Sequence, residues 1–368
     1  MKILVRSPNW IGDQILSYPF FYYLRQTYPL AQIVVACVPW VQSIQFRNLV
    51  DDVYLLPRPL NFSFFSKWDA LEKGAQMLRS QGPWELGFCL PNSFSSAWFL
   101  FRAGVELRRG YATDGRSILL NQKLSWERKS VIHRAQAYLE LLPPSEVPRP
   151  LATEFWGGVS ENELDPPIQG VIPEFDAEKE WPGAEPFDPP SHPYWVLAPG
   201  STAESRRWPI QKFVELTDLI LSETGWLGVI LGGEAEFSLA SELVSRFGSR
   251  VLDWTGRGSV ASLWKVFRST QFTVCNDSGL AHMASCLSRS LVHLIWGGGD
   301  PRRTRPLGSG KIQLSVNPPV CWPCEQNRCS QIPLNHLECL KGITPHVVWN
   351  EIKLGVRFGR SPVSESSL

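Results

Sequence analysis

The chain predicts two α/β domains, each a parallel sheet with helices on both faces. Three observations lead there. Short apolar runs alternate with amphipathic stretches from the first residue. The alternation stops once, across a proline-rich stretch, and then restarts. The length of 368 residues favours two cores over one.

The first half opens on residues 2–5, an apolar run that reads as a buried strand. Residues 13–27 read as a helix, because Ile15, Leu16, Pro19, Phe20, Tyr23 and Leu24 recur at helical spacing. Residues 32–38 are rich in β-branched side chains and read as a strand, as do 53–56 and 85–90, with a helix near 67–79 between them. This is the rhythm of a parallel sheet layered by helices.

Between about 143 and 193 stand twelve prolines, including Pro143, Pro144, Pro166, Pro167, Pro189 and Pro190, which withhold ladder donors; the stretch reads as linker. The rhythm resumes with strands at 194–198, 227–231, 271–275 and 291–296, and helices at 210–223, 234–247, 260–268 and 278–287. Two Rossmann-like halves are expected, with a cleft at the carboxyl ends of their strands. The expected partition is 1–165, a linker at 166–193, 194–344, and a helix and tail at 345–368. The amphipathic part of that last segment, 345–358, is expected to pack across the halves, and 359–368 to fray.

Apolar residues at 43% and charged residues at 19% exclude a disordered chain. A net charge of +1 supplies no global basic field, so nucleic acid is not an expected partner. Charge is nonetheless uneven. Arg102, Arg108, Arg109, Arg116, Lys123, Arg128, Lys129 and Arg134 outnumber Glu106, Asp114 and Glu127, a pattern that fits either a solvated surface or a face for an anionic partner. The start is not a signal peptide, since Arg6, Asn9 and Asp13 interrupt its apolar run, and no stretch approaches the roughly 18 apolar residues of a membrane span. A soluble cytoplasmic protein is expected. The aromatic run FSFFSKW at 62–68 reads as core in preference to an exposed loop against a membrane.

Cys37, Cys89, Cys275 and Cys286 read as buried thiols in apolar segments. Cys321, Cys324, Cys329 and Cys339 are spaced C-x2-C-x4-C-x9-C, which departs from standard zinc spacings but leaves a metal open.

Neither half carries G-x-G-x-x-G after its first strand, which opposes a nicotinamide or flavin oxidoreductase. No P-loop is present, and the serines lack a nucleophile-elbow context. Polar groups at strand ends remain. Asp13, after Gly12, is either a helix N-cap or a carboxylate base for a sugar hydroxyl. The small-residue loop with Ser201 and Thr202, followed by Arg206, can expose backbone N–H groups and a guanidinium to phosphate. Glu234 after Gly232-Gly233 can take both ribose hydroxyls, or serve as a first-turn helix residue. Asp277, Ser278, Gly279 and His282 stand where a strand hands over to a helix, a place suited to a diphosphate; caps and packing explain such residues equally well. Gly297, Gly298 and Gly299 before Asp300 read as a flexible loop.

RSPNWIGD at 6–13, APGSTAESRRWP at 198–209, LGGEAE at 231–236, CNDSGLAHMASCL at 275–287 and the cysteine-rich stretch ending near ECLKGITPHVV together resemble one family. It is glycosyltransferase family 9, the bacterial ADP-heptose:lipopolysaccharide heptosyltransferases, and the first motif is similar to the form in heptosyltransferase II. The resemblance runs through most of the chain and implies the GT-B fold, with an N-terminal acceptor domain and a C-terminal donor-nucleotide domain. It implies that Asp13 deprotonates the acceptor hydroxyl and that attack inverts the anomeric carbon. It implies that Arg206 meets the donor phosphates where relatives usually have lysine, that Glu234 holds the ribose, and that Ser201, Thr202, Asp277, Ser278, Gly279 and His282 line the donor. No bound metal and no cofactor are implied.

The implied donor is ADP-L-glycero-D-manno-heptose. The implied acceptor is the anionic lipid A–Kdo inner core, reached by peripheral contact with the inner membrane and gripped by the arginines of 102–134; the transferred sugar would be the second heptose, onto heptosyl-Kdo2-lipid A. WGGGDP at 296–301 departs from the family's commoner form, and Arg206 is no simple substitute for lysine. A family member with another donor or acceptor, and a non-catalytic nucleotide-sugar-binding protein, stay as alternatives.

Overall fold

The computed structural model describes residues 1–61, 63–126, 132–143, 173–308 and 311–356. Two compact units divide the chain. One comprises Met1–Pro186 with Ser259–Leu263 and Pro301–Gly308; the other comprises Phe187–Gly258, Trp264–Asp300 and Ser309–Leu368.

The first unit holds a six-stranded sheet: β1 (Lys2–Arg6), β2 (Gln32–Cys37), β3 (Asp52–Leu55), β4 (Trp84–Cys89), β5 (Val105–Tyr111) and β6 (Gln122–Leu124), in the order β3-β2-β1-β4-β5-β6, every pair parallel. Its helices are α1 (Ile11–Leu16), α2 (Tyr18–Thr27), α3 (Phe64–Arg79), α4 (Phe94–Arg102), α5 (Arg134–Leu139) and the single turn α6 (Ala177–Glu180). The helix expected at 13–27 is therefore two helices, α1 and α2, joined at Ser17, with Pro19 tolerated early in α2, where its missing N–H is no loss. Ser63 and Ser93 accept from the N–H groups of Ser66 and Ser96 and so begin α3 and α4.

The second unit repeats the plan with β7 (Tyr194–Ala198), β8 (Leu227–Ile230), β9 (Val251–Asp253), β10 (Phe272–Asn276), β11 (Leu291–Trp296) and β12 (Ile312–Val316), in the order β12-β11-β10-β7-β8-β9, again all parallel. Around it lie α7 (Ile210–Glu223), α8 (Phe237–Phe247), α9 (Trp264–Ser269) and α10 (Gly279–Leu287). The turn α11 (Pro301–Thr304) counts with the first unit, and α12 (Glu338–Lys341) and α13 (Pro345–Gly355) complete the second. α7 shows the reason for its burial plainly: Phe213, Leu216, Thr217, Ile220 and Leu221 recur every three or four residues and face the core with Trp195, Leu197 and Trp349.

In each sheet the chain winds outward from the first strand, returns, and continues from the fourth on the other side. The first and fourth strands are therefore neighbours, β1 beside β4 and β7 beside β10. Loops leaving their carboxyl ends diverge and open a crevice, the topological switch point where open α/β sheets bind ligands.

Several expectations need correction. The run at 62–68 is not core: Phe64 and Phe65 are exposed, and residue 62 lies outside the described residues. The expected linker is partly packed, because Trp181 is buried and Phe175 meets Tyr18 edge-on at 4.8 Å within the first unit; 144–172 lie outside the described residues. α13 packs on α7 and β11 of the second unit, where Trp349 donates to Glu223 over 2.8 Å; residues 357–368 lie outside the described residues.

The basic stretch is not one solvated or binding face. Arg116 is fully buried, Arg102 is paired with Glu72, Arg108 donates to the carbonyls of Val105, Glu106 and Leu119, and Arg128 and Lys129 lie outside the described residues. Arg116 binds the carbonyls of Tyr111, Pro91 and Ser93, the Asn92 side chain and the Cys89 sulfur, and so fixes the loop after β4. Among the described residues no group of three or more His, Cys, Asp or Glu side chains is arranged to hold a metal, and all eight cysteines are free thiols.

Two predictions follow from burial. Arg116→Ala strands several buried acceptors and should destabilise the protein by about 3–5 kcal/mol, read as a lower urea midpoint. Burial holds His133 at about 4 and His293 at about 3, below the ordinary histidine value of 6.5. Both are neutral in the native state, so their contribution is complete above pH 6.5 and is lost as pH falls toward 4 and then 3. His293→Asn should flatten the loss of unfolding free energy measured between pH 6.5 and 4.

Candidate active site

At the switch point of the first unit, β1 ends in Arg6, which is buried and bonded to the Ser7 carbonyl and to Asn9 Oδ1. Ser7 donates its hydroxyl to Gln14, and Trp40 donates to the Asn9 carbonyl over 2.6 Å. These bonds set the 6–10 loop and hence the start of α1. The N-cap of α1 is Trp10, so Asp13 is a first-turn residue and not the cap itself. Its carboxylate is partly exposed, and Arg134 Nε stands 3.8 Å from Asp13 Oδ1. One turn further along α5, Tyr138 is buried; desolvation, then the Asp13 charge, push its phenol well above the ordinary range.

Arg134 is itself placed from behind. His133, the residue before it, accepts from the Ala135 N–H and hydrogen-bonds the Arg305 carbonyl at 2.9 Å through Nε2. A buried neutral imidazole therefore fixes the start of the helix that carries the cation beside Asp13.

At the switch point of the second unit, three of the predicted segments meet. Asn276, the last residue of β10, is fully buried. Its amide donates to the Pro199 carbonyl at 2.5 Å and its oxygen accepts from the Trp208 N–H at 3.2 Å. Ser201 donates to the Asp277 carbonyl over 3.0 Å, and Arg206 Nε lies 3.3 Å from Asp277 Oδ2. Asp277 is only 2% exposed, whereas Arg206 retains about a third of its surface at 31%. The carboxylate thus sits behind the guanidinium and aims it. Thr202 is exposed, Ser278 stands at the N-cap position of α10 without a side-chain capping bond, Gly279 begins the helix, and His282 is buried in its first turn.

Glu234 stands after β8, the strand next to β7, and is exposed in the short turn Glu234–Glu236. The structure therefore brings Ser201, Asp277 and Arg206 into direct contact and sets Ser278, Gly279 and His282 on the same strand-to-helix junction. Glu234 follows the neighbouring strand. Asp13 belongs to the other unit.

Sequence reasoning gave no role to several residues, inside its own motifs, that build this site. Arg207 bonds the carbonyls of Ser201 and Thr202 and holds their loop open. Glu236 accepts from the Gly233 N–H at 2.8 Å and fills the space beside Gly200. Asn276 was the most legible of these, because an asparagine ending a strand between two loops has carbonyl and N–H groups to pair.

The triple-glycine loop is also not flexible. Gly297, Gly298 and Gly299 are buried; Gly298 donates to the Ser205 carbonyl at 3.0 Å and accepts from Glu325 at 2.8 Å, and Trp322 and Trp296 donate to the carbonyls of Gly297 and Gly299. A β-carbon at Gly297 would stand 2.1 Å from the Ser205 carbonyl oxygen. Close approach, not mobility, requires glycine there.

Residues 73–334 match Glycosyltransferase family 9 (heptosyltransferase). The chain is 27% identical to Lipooligosaccharide heptosyltransferase 2 of Haemophilus ducreyi over 86% of its own length and 89% of that protein. It is 26% identical to Lipopolysaccharide heptosyltransferase 2 of Escherichia coli, over 83% and 86% of the two chains. Its fold matches that of E. coli ADP-heptose lps heptosyltransferase II with a TM-score of 0.68, at 20% identity over 96% of this chain and 99% of that one. E. coli heptosyltransferase WaaC with ADP matches with a TM-score of 0.67 at 18% identity, over 97% and 100%. With paired six-stranded parallel sheets and a family match over more than two thirds of its length, the chain belongs to glycosyltransferase family 9, the heptosyltransferases.

Proposed function

We propose that this glycosyltransferase moves a heptose from ADP-L-glycero-D-manno-heptose to the lipopolysaccharide inner core, adding the second heptose to heptosyl-Kdo2-lipid A. The observation that carries this reading is the Arg206–Asp277 pair at the β7/β10 switch point. A buried carboxylate that aims a half-free guanidinium across a helix N-terminus suits a diphosphate. The relatives named for heptose transfer, and the E. coli heptosyltransferase with ADP, support the choice of nucleotide sugar.

In this reading residues 1–165, within the first unit, take the acceptor, and residues 194–344 take the donor. Asp13 removes the proton from the acceptor hydroxyl as that oxygen attacks the anomeric carbon opposite the departing ADP, so configuration inverts. Negative charge grows on the leaving diphosphate. Arg206, the backbone N–H groups at Ser278 and Gly279, and the exposed Thr202 hydroxyl take it up without a metal or other cofactor. Ser201 and Asp277 act behind that surface, fixing the loop and Arg206. His282 supports the first turn of α10, and Glu234 holds the ribose hydroxyls. Arg134 orients the Asp13 carboxylate toward the acceptor. The enzyme works in the cytoplasm, against the inner face of the membrane that carries its acceptor; no helix of the described residues is long and apolar enough to cross it.

The direct test is a mass-spectrometric transfer assay with ADP-heptose and acceptors bearing no, one or two heptoses. Product should form only from the one-heptose acceptor; product from another acceptor alone reassigns the position, and none from any overturns the donor or the activity. Asp13→Asn should lower transfer at least about 100-fold while ADP affinity stays within a few-fold. Normal turnover in that variant removes Asp13 as base. Arg206→Ala should weaken donor binding about tenfold. Asp277→Asn should weaken it less, and the double variant should be no worse than Arg206→Ala alone, because both changes remove one aimed guanidinium. Additive losses in calorimetric titrations would show that Asp277 contacts the donor independently.

A further inference from the structure

The first unit carries an aromatic ridge that is rooted on its core through Trp98 and Phe94 and whose tip neither the core nor the proposed transfer reaction uses. Leu60 is 93% exposed, Phe64 70% and Phe65 83%, all within the last turn of loop before α3 and its first turn. Phe64 and Phe65 are the tip of a continuous stack. Phe65 meets Phe64 edge-on, Phe64 stacks on Trp68, Trp68 leans on Trp98, and Trp98 touches both Phe94 and Phe101, with centroids 5.4–6.4 Å apart. The stack anchors the exposed rings to α3 and α4, so that the tip is held outward by its own packing.

Two arginines engaged elsewhere, Arg102 with Glu72 and Arg108 with backbone carbonyls, pack against its inner rings. The Arg102 guanidinium lies 5.7 Å from the Trp98 ring centre and that of Arg108 5.4 Å from Phe101. Arg58 and Lys67 are exposed on either side of Phe64 and Phe65 in sequence. The acids nearby are matched locally: Glu72 pairs with Arg102, and Asp69 pairs with Lys73 at 2.7 Å. Leu60, Phe64 and Phe65 thus stand exposed at the tip with the exposed Arg58 and Lys67 near them in sequence.

We propose that this ridge docks the enzyme on an anionic lipid bilayer, with Leu60, Phe64 and Phe65 inserted at the level of the acyl boundary and Arg58 and Lys67 among the phosphates. A few protruding aromatic and aliphatic side chains with flanking cations match the polarity profile of a membrane interface, apolar below and anionic above. The inference rests on the reading of the acceptor as a lipid-anchored glycan, since such a substrate presents its hydroxyl only at a membrane surface. It locates the contact, which that reading alone does not.

The test uses the full chain and vesicles that contain no acceptor, so that binding is measured apart from transfer. Wild-type protein should co-sediment with phosphatidylethanolamine–phosphatidylglycerol vesicles and far less with phosphatidylcholine vesicles, and added salt should weaken the binding. Phe64→Ser combined with Phe65→Ser should bind about tenfold more weakly, with an unchanged circular dichroism spectrum and melting temperature, because both rings are already in water. Arg58→Glu with Lys67→Glu should abolish the preference for anionic vesicles. Transfer to a deacylated, soluble acceptor should be unchanged in both double variants, while transfer to the vesicle-embedded acceptor falls.

Equal binding by the Phe64→Ser, Phe65→Ser variant and the wild type overturns the proposal, as does a wild type that binds neither vesicle. Loss of a dimer in sedimentation velocity, with no vesicle binding, overturns it in favour of a second copy as the occupant. If vesicle binding behaves as described but the wild type transfers no heptose to any acceptor, the functional reading fails and the docking surface stands.

Discussion

The buried carboxamide of Asn276 holds the second unit's site together. It ends the strand that lies beside β7, and with one donor and one acceptor it satisfies the Pro199 carbonyl and the Trp208 N–H. Unpaired, each of those buried groups would cost about 1–3 kcal/mol. Paired through Asn276, they fix the entrance and exit of the loop that carries Ser201, Thr202 and Arg206, and they fix it relative to the strand end that carries Asp277. The ion pair between Arg206 and Asp277 needs that registration, because a guanidinium fork is directional.

The same logic serves the first unit with different residues. There the buried cations Arg6 and Arg116 take the structural part. Arg6 shapes the loop before Asp13, and Arg116 gathers the carbonyls of the loop after β4. Charge that looked available for an anionic partner is spent on backbone carbonyls. Arg134 is the member of the basic stretch that stands beside a proposed reacting group, and a neutral, buried His133 places it.

Much of the fold was legible because its helices and central strands follow simple periods. Residues 194–198, 210–223 and 291–296 were read with the bounds the structure has. α4, β5, β6, β9 and β12 were not read. The edge strands β6 and β9 are three residues long, too short for a period to show, and α4 is apolar on nearly all sides, whereas β5 (VELRRGY) and β12 (IQLSV) carry an alternation that was legible. The aromatic run at 62–68 misled for a different reason: hydrophobicity reports a preference for burial, while Phe64 and Phe65 stand exposed, their rings against each other and Trp68. For the site, motif order located the residues on the right strand ends. Depth was invisible, so nothing in the sequence distinguished a buried Asp277 that aims an arginine from an exposed one that touches a ligand, nor a close-packed Gly297 from a mobile one.

In the proposed reaction two switch points divide the labour, donor at β7/β10 and acceptor base at β1/β4. Hydrogen–deuterium exchange of the full chain on addition of ADP-heptose alone tests this division most directly. Exchange should slow in 199–207, 232–236 and 276–283, with residues 7–16 unchanged until acceptor is added. Slowing confined to residues 7–16, with none in the three loops of the second unit, would contradict it.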